Sequence, residues 1–263
     1  KKLSKLINEL REIINDNTEI IVVENFSANM LKNKVTENKI IKYFAKSTNQ
    51  GLDKSIIQLI CYAKRKNKKI WFLCDDDFLA HKNIKDIIKR IKNSSSNVDY
   101  IDWKRTDGKS LIKSKKDAYL RMSFLPCVAI NPKDLKLNEL YKINSNGYIH
   151  IAIINSLLNE INDINLINIS AGKQNKNIKT RFSITDTFIN GYQDSLKYKQ
   201  ILSDRFLNNH VFERVYSSLT YFKEDHYNFD IFKKYTIFCI NQKGINLFKK
   251  LKFFIKAILI KWI

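Results

Sequence analysis

The chain has 263 residues, with 47 Lys and Arg against 26 Asp and Glu, a formal net charge of +21; this length makes one large domain or two small ones. With 44% apolar residues there is material for a core, which excludes disorder as a description of the whole, and only 6 Gly and 2 Pro exclude a collagenous or linker-like chain. The basic balance ordinarily points to nucleic acid, but Lys is spread among Ile and Asn throughout, so dedicated nucleic-acid binding is discounted and a basic surface facing phosphates is kept.

Leu3, Leu6, Ile7, Leu10, Ile13 and Ile14 recur at helical spacing and predict an amphipathic first helix. Residues 19–23 are an apolar β-branched run, which predicts a strand buried on both faces, with a polar loop over 24–29 at its C-terminal end. Further strands are expected at 39–44, 69–73 and 98–103, alternating with helices over 54–65 and around Ile84, Ile87, Ile88 and Ile91. Ser94, Ser95, Ser96 and Asn97 form the turn after that helix. Beyond Thr106 the pattern loosens into a Lys-rich loop at 109–116, a strand at 122–130, and helices at 149–161 and 189–207. The alternation implies an α/β fold: a mostly parallel sheet flanked by helices, with a helical C-terminal extension. Ligands of such folds bind beyond the carboxyl ends of the strands.

Cys61, Cys74, Cys127 and Cys239 stand far apart without ligand spacing, so neither a disulfide framework nor structural zinc is expected, and a reducing compartment is. No signal peptide and no membrane-spanning run are expected.

Chemistry concentrates at Asp75, Asp76 and Asp77, just past an apolar strand. Three adjacent carboxylates repel one another, and a divalent cation removes that cost; hard oxygen ligands suit Mg²⁺ or Mn²⁺. The alternative is a solvated acidic turn capping the next helix. In chain order the triplet follows Glu24-Asn25-Phe26-Ser27 after one strand and Asn49-Gln50-Gly51-Leu52-Asp53 before a helix. This sequence of motifs resembles the inverting, nucleotide-sugar-dependent glycosyltransferases with the GT-A fold, family 2-like. The likeness is strongest over residues 1–90 and weaker to about 160. The Trp71-Phe72-Leu73-Cys74-Asp75-Asp76-Asp77 form is most similar to the abequosyltransferase-like branch of bacterial surface polysaccharide enzymes.

The resemblance implies roles. Glu24 stands where the family's Asp contacts the nucleotide base, with Asn25 and Ser27 shaping that loop. Asn49 and Gly51 would sit by the donor, Gly51 for close backbone approach, with Asp53 as an added candidate. Asp76 aligns with the metal-binding Asp, flanked by Asp77; Cys74 replaces the family's first Asp, and Asp75 is its substitute. The family's opening strand has no counterpart, since the chain starts inside the following helix without Met, which implies truncation or replacement. Asn146-Gly147-Tyr148-Ile149-His150 is similar to a segment of the abequosyltransferase-like branch and makes His150 the candidate base, or an acceptor contact; a hydrogen-bonded structural His is the alternative. Residues 173–181 are a basic loop suited to the leaving diphosphate or simply solvated. Tyr100 and Trp103 could stack on a sugar but fit a core better.

The implied organisation is a donor-binding half at 1–105, an acceptor-binding half at 106–242, and a basic amphipathic helix at 243–263. In that helix Leu247, Phe248, Leu251, Phe254, Ile255, Ile258, Leu259 and Trp262 form an apolar face margined by Lys249, Lys250, Lys252, Lys256 and Lys261. Such a face predicts lodging at a membrane surface or packing on the domain. The expected partners are a nucleotide-sugar donor, a saccharide or lipid-linked saccharide acceptor, and a membrane surface, which places the protein in the cytoplasm on the inner face of the cell membrane. Two alternatives are a basic non-catalytic module for nucleic acid or membrane phosphates, and a catalytically impaired member of the same fold.

Overall fold

The apolar spacings become helices and strands close to where the sequence puts them. A computed structural model describes residues 2–14, 18–24, 41–45, 48, 50–74, 78–103, 112–143, 147–173, 185–221 and 229–259. They divide into two compact units, Lys1–Asn138 with Ser156–Lys179, and Glu139–Asn155 with Thr180–Ile263.

In the first unit, α1 (Lys2–Ile13) serves two clusters, as the width of its apolar stripe allows. Ile7 packs with Val22, Ile41 and Tyr43, while Leu6 and Leu10 meet Ile84 together with Ile20, Trp71, Leu73 and Leu79. Strand β1 (Ile20–Glu24) runs parallel to β2 (Ile41–Ala45), from Ile20 opposite Ile41 to Glu24 opposite Ala45. Val22 is the buried residue of β1 and its companions are half-buried, less enclosed than the apolar run predicts. Next come α2 (Gly51–Arg65), β3 (Ile70–Trp71), β4 (Phe78–Leu79), α3 (His81–Asn93) and β5 (Val98–Ile101). Ile56 and Ile60 of α2, and Ile84 and Ile87 of α3, are fully buried.

The predicted strand at 122–130 shrinks to its last three residues. Helix α4 (Lys115–Arg121) ends at Met122, Leu125–Cys127 form a 3₁₀ turn, and β6 is Val128–Ile130. Pro126 lacks an N–H for a ladder and suits the first turn of a helix. Its carbonyl then accepts from two indoles, Trp71 Nε1 at 2.9 Å and Trp103 Nε1 at 2.8 Å, which ties β3 to the end of β5. Strand β6 is antiparallel to β3 and to β5. After α5 (Leu137–Leu140) and α6 (Ile149–Leu157), β7 (Ile164–Ile167) joins β5 in parallel, so the sheet ordered β3-β6-β5-β7 is mixed. A two-residue ribbon pairs β4 with β8 (Gly172–Lys173) in antiparallel fashion. Buried Asp99 is satisfied by Lys69 Nζ at 2.9 Å and Asn165 Nδ2 at 2.7 Å, so this charge is paired as burial requires.

In the second unit, every residue from Ile149 to Asn155 is buried, as an all-round apolar helix must be. The predicted helix at 149–161 stops at Leu157, because Asp163 Oδ2 accepts from the backbone N–H groups of Asn159 and Glu160 and starts a separate 3₁₀ turn. The predicted helix at 189–207 is also split. A π-helix (Thr185–Tyr192) runs into α7 (Gln193–Lys197), the chain turns at Lys199 with φ +45°, and α8 begins at Asp204 (Asp204–Tyr221). Asn155 Nδ2 donates to the Ser195, Leu196 and Tyr198 carbonyls and so satisfies the end of α7.

Helices α9 (Phe229–Asn241) and α10 (Leu247–Leu259) complete the unit. Phe253 of α10 lies 5.3 Å from Phe212 and 6.3 Å from Tyr235, ring centre to ring centre. Thus α10 packs by Phe253 and Ala257, while Leu247, Phe248, Leu251, Ile255 and Ile258 stay exposed. The single apolar face read from the sequence is two faces, because Phe253 adds an inward seam beside the outward stripe. Leu259 and Trp262 lie outside the residues whose side chains are described. Among the described residues no helix is long and apolar enough to cross a membrane. None of the four cysteines is in a disulfide bond.

Candidate functional site

The parallel pairing of β1 and β2 sets their carboxyl ends side by side. Glu24 ends β1 half-buried, and the Tyr43 hydroxyl of β2 donates to its Oε2. Gly51 opens α2 at φ +81°, a left-handed conformation that favours glycine, and a Cβ added there would meet no atom of the described residues within 4 Å. Among those residues it is backbone conformation, not crowding, that asks for glycine. Asp53 sits in the first turn of α2, where the helix N-terminus favours a carboxylate. Asn25, Ser27, Asn49, Asp75, Asp76 and Asp77 lie outside the described residues. The chain on either side of the triplet is anchored, since Leu73 and Leu79 pack on the same Leu6–Leu10–Ile84 cluster. Cys74, in the place of the family's first Asp, is half-buried. Among the described residues no group of three or more His, Cys, Asp or Glu could hold a metal ion.

A polar cluster stands at the carboxyl end of β5. Asp102 is 4% exposed, and its backbone is fixed at both ends: Asp102 N donates to Ile167 O at 3.2 Å, and Asp102 O accepts from Ala171 N at 2.8 Å. Ala171 O in turn accepts from Ala80 N at 2.8 Å, just past β4, so one run of bonds joins the end of β5 to the chain that follows the triplet. Asp102 Oδ1, the Tyr100 hydroxyl and Arg121 Nη1 are buried without a hydrogen-bond partner among the described residues. Arg121 holds its place by donating from Nη2 to Trp103 O at 3.2 Å. Burial, then the neighbouring Cys127, pushes the Tyr100 phenol far up, and Arg121 opposes the shift. Buried polar groups without partners are unusual and mark strain, an unseen water or a ligand contact. Tyr100 and Trp103 are core residues, as their strand position predicts. Asp102 gave no signal of this in the sequence, because it falls inside the strand expected at 98–103, whereas β5 ends at Ile101.

In the second unit, His150 is 3% exposed near the start of α6, its ring 5.7 Å from that of Tyr148. Tyr148 lies 4.8 Å from Tyr192, whose hydroxyl is 2.9 Å from His210 Nε2. Burial, with Arg214 adding to it, lowers His210 to about 4, so it is neutral at neutral pH. Burial, then Tyr192, raises the Tyr148 phenol. Tyr148, Tyr192 and His210 thus form an aromatic and imidazole series that begins at the candidate base. The π-helix that brings Tyr192 there has no sequence signature in helical periodicity. Of the basic loop at 173–181, Lys173 contributes backbone to β8 and the remainder lies outside the described residues.

The family model "Glycosyl transferase family 2" matches residues 1–160, more than half the chain. Among solved structures, the chain is similar to the crystal structure of S. aureus TarS 1-349, with TM-score 0.61, 14% identity, and coverage of 100% of this chain and 87% of that one. A crystal structure of S. aureus TarS matches with TM-score 0.60 and 14% identity over 100% of this chain and 50% of its own length. At such identity the likeness is one of fold. No curated protein matches the chain.

Proposed function

Because the chain belongs to glycosyl transferase family 2 and is a glycosyltransferase, with a nucleotide-sugar donor and a saccharide acceptor, we propose that it is a metal-dependent inverting enzyme of bacterial surface polysaccharide or glycolipid synthesis, nearest the abequosyltransferase-like branch. The observation that supports the reading is that candidate donor groups follow strand ends: Glu24 closes β1 beside the end of β2, and the triplet comes in sequence after β3, between Leu73 and Leu79, which pack on one cluster. Strand ends are where ligands of α/β sheets bind.

In this reading Glu24, oriented by Tyr43, accepts from the nucleotide base, and Asn25, Ser27, Asn49, Gly51, Asp53 and Asp75 complete the donor pocket. Asp76 and Asp77 hold Mg²⁺ or Mn²⁺, and the oxygen-only donor set of adjacent carboxylates fits either ion. A cation there supplies charge neutralisation for the leaving diphosphate. His150 takes the proton of the acceptor hydroxyl as it attacks the anomeric carbon from the face opposite the diphosphate. The exposed stripe of α10, Leu247, Phe248, Leu251, Ile255 and Ile258, lodges in the inner face of the cell membrane, where a lipid-linked acceptor would be concentrated.

Cys74 favours a second reading, a member of the fold that binds donor without transferring sugar, since a thiol is a poor substitute for the carboxylate. A thermal-shift screen of nucleotide diphosphates and nucleotide sugars with and without Mn²⁺ tests the proposal, because a specific ligand raises the melting temperature by mass action. A Mn²⁺-dependent rise with one nucleotide class supports it. No rise with any of them contradicts it, and donor binding without sugar release or transfer selects the second reading.

A further inference from the structure

The second unit holds a cavity of about 530 Å³, within the size range of small-ligand sites, walled by the end of the π-helix and by α7, α8 and α9. Three of its residues are lysines, Lys197, Lys234 and Lys243, against a single carboxylate from Asp204. Side-chain amides supply much of the remaining polarity, among them Asn208, Asn241 and Gln242. Gln242 is 4% exposed, and its Oε1 has no hydrogen-bond partner among the described residues. Lys197 is positioned: with the Gln193 amide turned to satisfy both its ends, its oxygen accepts from Lys197 Nζ at 2.9 Å and its nitrogen donates to Ile189 O at 3.1 Å.

We infer that this cavity binds an acidic saccharide chain, one whose hydroxyl-bearing units carry anionic groups. Amides both donate and accept, which is what a row of hydroxyls requires, and lysines supply point charges for anionic groups. Ile237, half-exposed, offers apolar surface to ring C–H groups. A nucleotide fits less well, because the one aromatic residue in the wall, Phe238, is buried and lies against Phe212 at 6.5 Å with planes 15° apart, which leaves no open face for a base. The inference rests on the glycosyltransferase reading for the saccharide class, and it adds the charge of the acceptor and a place on the chain that holds it.

The test is calorimetric titration of the full chain with three probes: an oligogalacturonate, an oligomer of poly(glycerol phosphate), and neutral maltohexaose. The variant is Lys234→Gln with Lys243→Gln, both exposed side chains whose change leaves the fold intact. At least one acidic probe should bind the wild type, the neutral probe should bind about tenfold more weakly or worse, and the double variant should lose about tenfold for the acidic probe. Which acidic probe binds tells carboxylate from phosphodiester as the source of charge. Equal affinity for acidic and neutral probes, no binding of either acidic probe, or full retention by the double variant would overturn the inference. Nucleotide-sugar titrations run alongside separate the two claims: donor binding with a silent cavity leaves the glycosyltransferase reading intact, while acidic-probe binding without any donor binding defeats that reading and keeps the cavity.

Discussion

Helices α3 and α10 carry nearly the same message in sequence, apolar residues at three- and four-residue steps among lysines, and end in different surroundings. Ile84, Ile87 and Ile91 of α3 are all buried, so its stripe is spent on the core of the first unit. Helix α10 buries Phe253 and Ala257 and leaves Leu247 81% exposed, with Phe248, Leu251, Ile255 and Ile258 exposed beside it. Lys256 is half-buried at the inward seam, donating to Tyr216 O at 2.8 Å with its ammonium 4.0 Å over the Tyr216 ring, a cation snorkelling along an aromatic wall. Periodicity announces that a helix has an apolar face; what covers the face is decided by elements remote in sequence.

The largest expected effects separate the two units by task. His150→Ala should lower kcat by about 10²–10⁴, the range for loss of a general base, with donor affinity nearly unchanged. Glu24→Ala should weaken donor binding by roughly tenfold and cost about 1 kcal/mol of stability through the lost Tyr43 hydrogen bond. Steady-state kinetics and donor titrations on both variants check this division, and equal loss of donor affinity in the two would break it.

Within α10 itself, Phe253→Ala should cost about 3–5 kcal/mol on urea unfolding, and Leu251→Ala within about 0.5 kcal/mol of nothing. Similar costs at both positions would mean that the outward stripe is covered in solution. The same stripe predicts that Phe248→Glu with Leu251→Glu lowers co-sedimentation with anionic vesicles by about tenfold or more. Removing the helix would be a poorer experiment, because Phe253 sits in the aromatic cluster with Phe212, Phe238 and Tyr235. Unchanged sedimentation of the double variant would contradict membrane lodging.

A smaller effect sharpens the contrast from inside the second unit. His210 is held at about 4, below its ordinary 6.5, by burial and then by Arg214. Between those values the unfolded chain takes up a proton that the folded chain refuses, so this group's contribution is fully present above pH 6.5 and declines as pH falls toward 4. The loss has a maximum slope of about 1.4 kcal/mol per pH unit. Unfolding midpoints of wild type and His210→Gln between pH 7 and 5 should converge as pH falls, and a constant difference would show that His210 takes up its proton in the fold as readily as in the unfolded chain.

Much of the first unit was legible because its strands and helices are short runs with clean periods: Leu6 and Leu10, Ile84 and Ile87, and Val22 all land in the core. The strand expected at 122–130 was cut short by the turn chemistry of Pro126, which redirects its carbonyl to two indoles instead of a ladder. In the second unit the break after α7 and the π-helix before it escaped, since neither leaves a mark in hydrophobic spacing. Of the candidate site, Glu24 is the last residue of β1 and not the first of the loop after it, and α2 starts at Gly51, three residues ahead of the helix expected at 54–65, so Gly51 and Asp53 lie in its first turn. Asp102 and Arg121 escaped the sequence pattern because a buried polar atom without a partner is a fact of three dimensions.

The central claim, cation-assisted donor binding at the triplet, is tested most directly by titrating wild type and Asp76→Asn with nucleotide sugars in the presence of Mn²⁺ and again after chelation. The wild type should bind one donor class with Mn²⁺ and lose it on chelation. Asp76→Asn should bind at least about tenfold more weakly, with its melting temperature unchanged in the absence of ligand. Affinity equal to the wild type in Asp76→Asn with Mn²⁺ present would contradict the account.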